Sequence, residues 1–311
     1  MNPAKNGPIA ICMVSFRSPE QIIACLETLA ATTYPDFEVI ICENGGEAAF
    51  AALTHAVSHT LPAGQRITCL LAESNLGYAG GVNLCMASRP DAQAWWILNP
   101  DTQVEPGTLG ALVARLERGD CDAVGGTLYH AGGTVQAYGG RWRPALARAE
   151  SIGHGASLAT APDVTTIERD MNYLLGASMM IGRHFVEQVG LMREDYFLYA
   201  EEVEWCLRGI ARGMRLGFAP DALVCHNQGE TTGSATSIRE RPRLPIFLDE
   251  RNKILVVRDT RPAMLPIAVL TSLILGILRF ARRRAWRQWG YALTGWWAGI
   301  RNQRGIPNWL R

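Results

Sequence analysis

The sequence predicts an α/β protein: a sheet flanked by helices, followed by a C-terminal helical segment that associates with membranes. Three observations lead to this prediction. Apolar runs of strand length alternate with apolar residues at helical spacing along most of the chain. The 311 residues are 48% apolar and 19% charged, a globular composition that excludes a disordered or collagen-like chain. Near the C-terminus, residues 263–278 form an uncharged, mostly apolar stretch that ends at Arg279.

The first half of the chain alternates strand and helix patterns. Residues 9–16 are an apolar run of strand length, and the next apolar residues, from Ile22 to Leu29, repeat at helical spacing within 19–29. The same patterns predict strands at 37–42, 66–72, 94–98 and 122–126 and helices at 48–58, 80–87 and 105–118. We therefore expect a parallel sheet, covered on both faces, that binds ligands beyond the carboxyl ends of its strands.

The second half is less regular. Residues 127–170 are rich in Gly, Ala and Arg without clear periodicity, and we expect them to form a substrate-facing excursion with short strands. Further patterns predict strands at 172–181, 215–218 and 222–226 and helices at 184–189 and 201–212. We divide the chain into a catalytic-type domain at 1–235 and a helical, basic, membrane-associating region at 236–311.

The C-terminal region combines apolar, basic and aromatic residues. The stretch 263–278 is shorter than the roughly 20 residues that span a bilayer, so a helix lying in the interface is favoured over a spanning one. A core helix or a helix packed in a homo-oligomer is the alternative. The net charge is +1, but residues 279–311 hold eight Arg, no acidic residue and five of the nine Trp, which leaves −7 on the rest. The combination of Arg and Trp favours binding to a membrane surface over binding to nucleic acid. No other feature of the sequence supports nucleic-acid binding.

The cysteines and the N-terminus indicate a cytoplasmic protein. The eight Cys form no CxxC pair, and most lie in apolar runs, as Cys12 does, so we expect reduced, buried thiols. The N-terminus leads into a strand-like run without a signal-peptide apolar region. We expect a cytoplasmic body that associates peripherally with the inner face of the cell membrane.

Two loops that follow strands could bind a phosphorylated ligand. Asp101, in Asn99-Pro100-Asp101, places a carboxylate after an apolar strand, where it could hold a divalent cation on a nucleoside diphosphate; the alternative is a plain turn. The segment 74–83 contains three glycines, which permit close backbone approach to a ligand or, alternatively, tight packing of a helix on the sheet. It has neither dinucleotide-binding nor P-loop spacing.

Carboxylates and a histidine supply the remaining candidates. Glu201, Glu202 and Glu204 open a predicted helix after the aromatic run 196–199. Acidic residues stabilise a helix N-terminus, but a carboxylate at the mouth of an apolar cleft can also keep enough basicity to deprotonate a sugar hydroxyl. His226 follows an apolar strand and could be structural or could complete a metal site.

Together these motifs resemble the inverting family-2 glycosyltransferases of the GT-A fold, whose nucleotide-binding sheet is Rossmann-like, and in particular the rhamnosyltransferase-like branch that builds bacterial surface polysaccharides. The resemblance covers nearly the whole chain. It rests on the segments 14–16, 43–45, 75–83, 99–101, 175–178 and 201–204, on His226, and on 251–252. The last of these has no role that the sequence reveals.

The resemblance implies roles for individual residues. It implies that the donor nucleotide is bound by Ser15, Phe16, Glu43, Asn75, Gly80, Asn83 and Asn99. It implies that Asp101 and His226 bind a divalent cation, Mg²⁺ or Mn²⁺, and that Glu202 is the catalytic base. Two departures from the family pattern are Glu43-Asn44 for Asp-Asn and Glu201-Glu202 for Glu-Asp. The first leaves the nucleobase open, and the second leaves open whether Glu201 shares or takes the base role.

The resemblance favours dTDP-rhamnose as donor, with uridine-diphosphate sugars next, and a saccharide or lipid-linked saccharide as acceptor. Two other functions stay open. A sugar nucleotidyltransferase also uses a nucleotide-binding α/β domain, but it normally has a Gly-rich, basic N-terminal loop, whereas residues 15–19 contain one Arg and no Gly. An inactive, membrane-attached scaffold that binds nucleotide sugars would account for the motif departures.

Overall fold

The computed structural model describes residues 7–226 and 237–310. Its strands are β1 (Ile9–Ser15), β2 (Phe37–Glu43), β3 (Ile67–Leu71), β4 (Ala94–Leu98), β5 (Thr102–Val104), β6 (Ala123–His130), β7 (Thr134–Ala137), β8 (Gly139–Arg143), β9 (Arg148–Ile152), β10 (Ser178–Gly182) and β11 (Leu216–His226). Its α-helices are α1 (Pro19–Leu29), α2 (Glu47–Ala56), α3 (Gly77–Ser88), α4 (Thr108–Glu117), α5 (Val164–Asp170), α6 (Arg183–Val189), α7 (Glu201–Ala211), α8 (Arg243–Thr260), α9 (Leu265–Ala281) and α10 (Trp286–Ile300).

One large sheet organises the protein, with strand order β3-β2-β1-β4-β10-β6-β11-β5 and with β7 paired to β6. The predicted α/β fold with a sheet flanked by helices is confirmed. The prediction of a parallel sheet is correct for β1 to β4 and for the parallel pair of β6 and β11, and it is wrong for β10, which runs antiparallel to both β4 and β6, and for the edge pairings of β5 and β7. The excursion predicted at 127–170 begins within β6, and the chain leaves the sheet there at its carboxyl edge. It therefore re-enters the sheet from that edge, which reverses β10.

The core lies on both faces of this sheet. Every residue of β4 and β10 is buried, since both strands are central and have helices on each side. The predicted unpaired thiols are confirmed, and all of them except the half-buried Cys69 are buried. A fully apolar central strand explains why the boundaries of β4 could be predicted to the residue.

Three elements differ from the sequence prediction. Helix α3 begins at Gly77 rather than at residue 80, because packing on the sheet outweighs the low helix propensity of its glycines. The excursion contains a short helix, α5, besides its short strands. The two strands predicted at 215–218 and 222–226 are one strand, β11, with an irregularity between Ala219 and Leu223 where Pro220 interrupts the ladder.

The C-terminal region is helical, as predicted. Helix α9 presents small buried residues to α10, whose Trp296 Nε1 donates to Ser272 Oγ at 3.2 Å. Within the described ranges, one helical stretch, Pro262–Ala281, is long and apolar enough to cross a membrane by length and composition, and only 22% of its most apolar window is buried. The boundary predicted at residue 235 lies outside the described residues, so the division into two domains stays a prediction.

Candidate active site

Asp101 and His226 meet at the carboxyl end of β4. Asp101 lies in the short connection between β4 and β5, and β5 pairs antiparallel with β11 so that Thr102 is opposite His226. This pairing places His226 Nε2 at 3.4 Å from Asp101 Oδ1, although the two residues are far apart in sequence. Both side chains are largely buried. The two residues that the resemblance assigns to a cation therefore face each other.

Gln136 fixes the imidazole of His226. Its Oε1 lies 2.9 Å from His226 Nδ1, and the amide oxygen can only accept, so Nδ1 carries the proton in this pair. The neutral ring then keeps a lone pair on Nε2, the nitrogen that faces Asp101. Gln136 lies on β7, in the aperiodic segment of the sequence, and no sequence signal identified it.

This arrangement fits a hard divalent cation bound together with a diphosphate. A carboxylate oxygen and an imidazole nitrogen supply two ligands, and Asn99 Oδ1, just before the same turn, is buried without a hydrogen-bond partner. In the portions of the chain that the structure describes, no group of three or more His, Cys, Asp or Glu could hold a metal ion by itself. A cation with few protein ligands takes the others from substrate phosphates and water.

The three carboxylates at the start of α7 have different environments. Glu204 is held by Arg208, whose Nε donates to its Oε1 at 2.8 Å, so its role is structural. Glu201 is only 2% exposed, and burial together with the neighbouring charge of Glu202 raises its pKa well above the usual range. Glu202 is half-buried, and burial raises its pKa to about 7. Glu202 thus combines access with basicity near neutral pH.

Tyr78 connects these carboxylates with Asp101. Its hydroxyl donates to the carbonyl of Gly176 at 2.7 Å, and Gly176 lies against Glu202, since a β-carbon there would be 3.6 Å from Glu202 Cγ. Burial, and then the charges of Glu201, Glu202 and Asp101, raise the pKa of Tyr78. The charges of both base candidates and of Asp101 therefore act on one tyrosine hydroxyl. Tyr78 belongs to the glycine-rich motif, but nothing in that motif singles it out.

Glu43 organises the ends of β1 and β2. Ser15 Oγ donates to Glu43 Oε2 at 2.5 Å, and the backbone N–H groups of Arg17 and Gly45 donate to Oε1 at 3.0 and 2.7 Å. Ser15 and Glu43 are both fully buried, whereas Phe16 is 41% exposed. Both oxygens of Glu43 therefore shape the loop beneath the exposed Phe16 ring. Direct contact of these residues with the donor stays a prediction.

The glycine-rich segment packs tightly against its neighbours. Asn75 Oδ1 accepts from Gly77 N at 3.0 Å in the turn that starts α3, and a β-carbon on Gly80 would lie 2.6 Å from Leu76 Cβ. Asn83 Nδ2 donates to the carbonyl of Met192 at 2.9 Å and to a carboxylate oxygen of Glu194 at the same distance. These contacts agree with the packing alternative. The predicted donor contacts of Asn75, Gly80 and Asn83 are not tested by them.

Comparison with known proteins gives a family match. The family model described as Glycosyl transferase family 2 matches residues 10–186. The chain is similar to the low-salt glycan biosynthesis hexosyltransferase Agl10 of Haloferax volcanii, with 22% identity over 96% of this chain and 93% of the relative. It is also similar to an N-acetylglucosaminyl-diphospho-decaprenol L-rhamnosyltransferase of Mycobacterium tuberculosis, with 26% identity over 72% of this chain and 78% of the relative.

Solved structures share the fold. The mannosyltransferase PcManGT from Pyrobaculum calidifontis, in complex with GDP-Man and Mn²⁺, superposes with a TM-score of 0.57 at 12% identity, covering 96% of this chain and 89% of that one. S. aureus TarS 1-349 in complex with UDP-GlcNAc gives a TM-score of 0.53 at 12% identity, covering 95% and 92%. At these identities the likeness shows the GT-A fold alone.

Proposed function

The chain belongs to glycosyl transferase family 2 and is a hexosyltransferase that uses nucleotide-sugar donors, and from this premise we propose that it transfers its sugar with inversion, using Glu202 as the base. The observation that carries the proposal is the half-buried carboxylate of Glu202 beside Gly176, whose carbonyl accepts from the hydroxyl of Tyr78. A carboxylate with a pKa of about 7 can remove the proton of an acceptor hydroxyl at neutral pH.

The reaction is a single displacement at the anomeric carbon. Glu202 takes the hydroxyl proton as the acceptor oxygen bonds to that carbon, and the bond to the nucleoside diphosphate breaks on the opposite face. Glu201 is less suited to this task, because its side chain is almost fully buried and burial favours its neutral form. We assign Glu201 a supporting role beside the base.

Asp101 and His226 are proposed to hold the divalent cation. Their 3.4 Å approach, and the bond from Gln136 that directs His226 Nε2 toward Asp101, support this assignment. Bound Mg²⁺ or Mn²⁺ would neutralise charge on the diphosphate leaving group. Asn99 would add a neutral oxygen beside it, whereas Ser15, Phe16 and Glu43 would shape the nucleoside end of the donor site.

We propose dTDP-rhamnose as the donor and a lipid-linked saccharide as the acceptor. The mycobacterial relative supports both choices, since its name specifies an L-rhamnosyltransferase acting on a decaprenol-linked sugar. Uridine-diphosphate sugars are the second candidate, because Glu43 stands where the family has Asp. A thermal-shift series of nucleoside diphosphates, with and without Mg²⁺ or Mn²⁺, tests the choice: a cation-dependent shift selective for dTDP supports it, and selectivity for UDP contradicts it.

The exposed faces of α9 and α10 support peripheral attachment to the membrane. Ile267, Leu270 and Ile274 lie on one face of α9 and are 56%, 60% and 48% exposed, and Trp286 and Trp297 of α10 are 63% and 53% exposed. Exposed arginines at 282–284 follow α9. An apolar face next to positive charge suits the anionic inner leaflet, where a lipid-linked acceptor would be reached. We propose that region 236–311 makes this contact.

The substitution Glu202→Gln tests the base. It keeps the size of the side chain but cannot take a proton, so the turnover number should fall by about 10²- to 10⁴-fold while nucleotide binding is retained. The matched control is Glu204→Gln, which changes the third carboxylate of the same helix, one that is already paired with Arg208. Turnover of Glu202→Gln within a few-fold of the unmodified enzyme would exclude Glu202 as base.

A further inference from the structure

The loop before the proposed base has an unusual backbone. Phe197, Tyr199 and Ala200 all have positive φ angles, of 69°, 73° and 67°, and none of them is glycine. Phe197 also has ψ of −58°, and Leu198 N donates to Tyr196 O at 2.9 Å, which together define a classic γ-turn, a rare and strained conformation. Such a backbone persists only where its surroundings fix it. Residues 196–200, here called the base loop, lead directly into Glu201 and Glu202.

Asn252 of α8 fixes the base loop from one side. Its Nδ2 lies within hydrogen-bond distance of the carbonyls of Tyr196, Leu198 and Tyr199, at 3.0, 2.8 and 2.7 Å, so its two N–H groups are shared among three acceptors. One side-chain amide therefore gathers three carbonyl groups of a five-residue turn. Asn252 is fully buried, so water does not compete for these bonds.

Arg251 orients that amide and adds a fourth bond. Its Nε donates to Asn252 Oδ1 at 2.8 Å, and its Nη2 donates to the Tyr196 carbonyl at 2.8 Å. Its Nη1 donates to the carbonyl of Gly305 at 2.6 Å, beyond α10. Arg251 is 1% exposed and, in the described part of the chain, its partners are carbonyl and amide oxygens rather than a carboxylate.

The opposite side of the base loop is held by the glycine-rich motif. Tyr78 N donates to the Phe197 carbonyl at 2.7 Å, and the preceding Gly77 leaves no room for a β-carbon there. The carbonyls of residues 196–199 are thus all bound, three by α8 and one by α3. At the far end of α8, Asp259 accepts from the hydroxyl of Tyr196 at 2.8 Å.

We propose that Arg251 and Asn252 are positioning residues for catalysis, which hold the base loop so that Glu202 stays in line with the acceptor. This rests on the proposed role of Glu202. Neither residue contacts the reacting atoms. A displacement of about 1 Å at a catalytic group can lower the rate by about 10²-fold, so loss of this support acts on turnover rather than on donor binding.

The test compares Asn252→Ala and Arg251→Lys with Arg258→Ala. Arg258 is on the same helix and donates to the Ile300 carbonyl at 2.7 Å, so its loss disturbs the α8–α10 packing without removing a bond to the base loop. For each folded variant we would measure the turnover number, the KM for the donor and the thermal midpoint, with active sites counted by nucleoside-diphosphate binding.

We expect Asn252→Ala to lower turnover by about 10- to 100-fold with donor KM within about twofold, Arg251→Lys to show a smaller loss, and Arg258→Ala to keep its rate. Turnover of Asn252→Ala within twofold would overturn the proposal. The proposal would also be overturned if turnover and donor binding fell together, in proportion to the fall in thermal midpoint. That result would mean that Arg251 and Asn252 only stabilise the fold. Glu202→Gln is assayed in parallel. If Glu202→Gln keeps its turnover number while Asn252→Ala loses it, the assignment of the base is wrong but the positioning role of Asn252 is not.

Discussion

Burial raises the pKa of both neighbouring carboxylates at the start of α7. Glu202 has its pKa raised to about 7 by burial, whereas an ordinary glutamate ionises near 4.5. The groups facing it are Glu201, Tyr78, Tyr173 and Cys206, and burial raises the pKa of each of them as well. The two tyrosines and the thiol are therefore neutral wherever Glu202 titrates, which leaves the two neighbouring carboxylates, of which Glu202 is the accessible one, to control the reaction.

The plot of kcat/KM against pH should consequently have an acid limb, with an apparent pKa near 7. Below that value Glu202 is protonated and cannot accept the hydroxyl proton, so kcat/KM should fall about tenfold per pH unit as the pH decreases. The measurement is kcat/KM between pH 5 and 9 at a saturating concentration of cation. Because the raised pKa belongs to the active carboxylate, activity is gained as pH rises.

Two variants check the origin of that limb. Glu204→Gln should keep it, since Glu204 is already bound to Arg208. The residual activity of Glu202→Gln should lack it. A limb near pH 4 to 5 in the unmodified enzyme would mean that the base is an exposed carboxylate, and would contradict the burial argument.

Among single residues, the sequence identified the candidate reactive side chains better than it identified the side chains that position them. Asp101, Glu202 and His226 could be singled out because their residue types and motifs resemble those of a family. Gln136 could not, because its contribution depends on β7 folding back to place Oε1 at 2.9 Å from His226. Glu43 was expected at the donor, yet both its oxygens already bind Ser15 Oγ and loop N–H groups.

At the scale of elements, the candidate site depends on the pairing of β5 with β11 and on Gly77 at the start of α3. Pairing of β5 with β11 brings His226 to Asp101, and this pairing is not visible in the sequence because Pro220 divides β11 into two apparent strands. Parallel β1 to β4 followed from the alternation of strands and helices. The reversal of β10 did not, because it depends on the edge at which the excursion ends.

Helix α3 depends on Gly77 for its approach to the base loop. Gly77 has φ of +73°, and a β-carbon there would lie 2.0 Å from the Phe197 carbonyl oxygen. Gly77→Ala should therefore destabilise the protein by about 1–3 kcal/mol and lower turnover, because the carbonyl must move away from Tyr78 N. Urea unfolding and steady-state kinetics measure the two effects.

Gly119→Ala is the control that separates the backbone strain of a positive φ from the steric clash with Phe197. Gly119 has the same φ of +73°, but a β-carbon there would meet nothing within 4 Å. This variant should show only the backbone strain, with turnover unchanged. Equal effects of the two substitutions on stability and rate would contradict the role given to the Gly77–Phe197 contact.

At the scale of the whole molecule, the C-terminal region contacts residues that hold the base loop and also carries an exposed apolar face. Arg304 of the final segment binds Asp259 at 2.7 Å and Asp195 at 3.1 Å, beside the base loop. The opposite side of the same helical region exposes the apolar side chains of α9 and α10. Composition predicted a helical, apolar and basic region here, and its contact with a membrane stays a proposal. The contacts that tie it to the base loop depend on buried residues whose partners are more than 40 positions away.

The double substitution Leu270→Asp with Ile274→Asp tests the membrane face. Each apolar side chain of this size contributes roughly 1.5–3 kcal/mol when it leaves water, so the unmodified protein should float with vesicles and the variant should not. Anionic vesicles should bind more protein than neutral ones at low salt, because arginines 282–284 and 287 are exposed beside the face. Vesicle flotation of the full-length chain measures both effects.

Leu191→Asp is the matched control, since Leu191 is 41% exposed but lies on the catalytic body before the base loop. It should float like the unmodified protein. Extraction at alkaline pH then distinguishes the two membrane arrangements, because a helix lying in the interface is released and a spanning helix is not. If the unmodified protein does not bind anionic vesicles, the apolar face has another partner, and acceptors carried on lipid would have to reach the cleft without attachment of the enzyme.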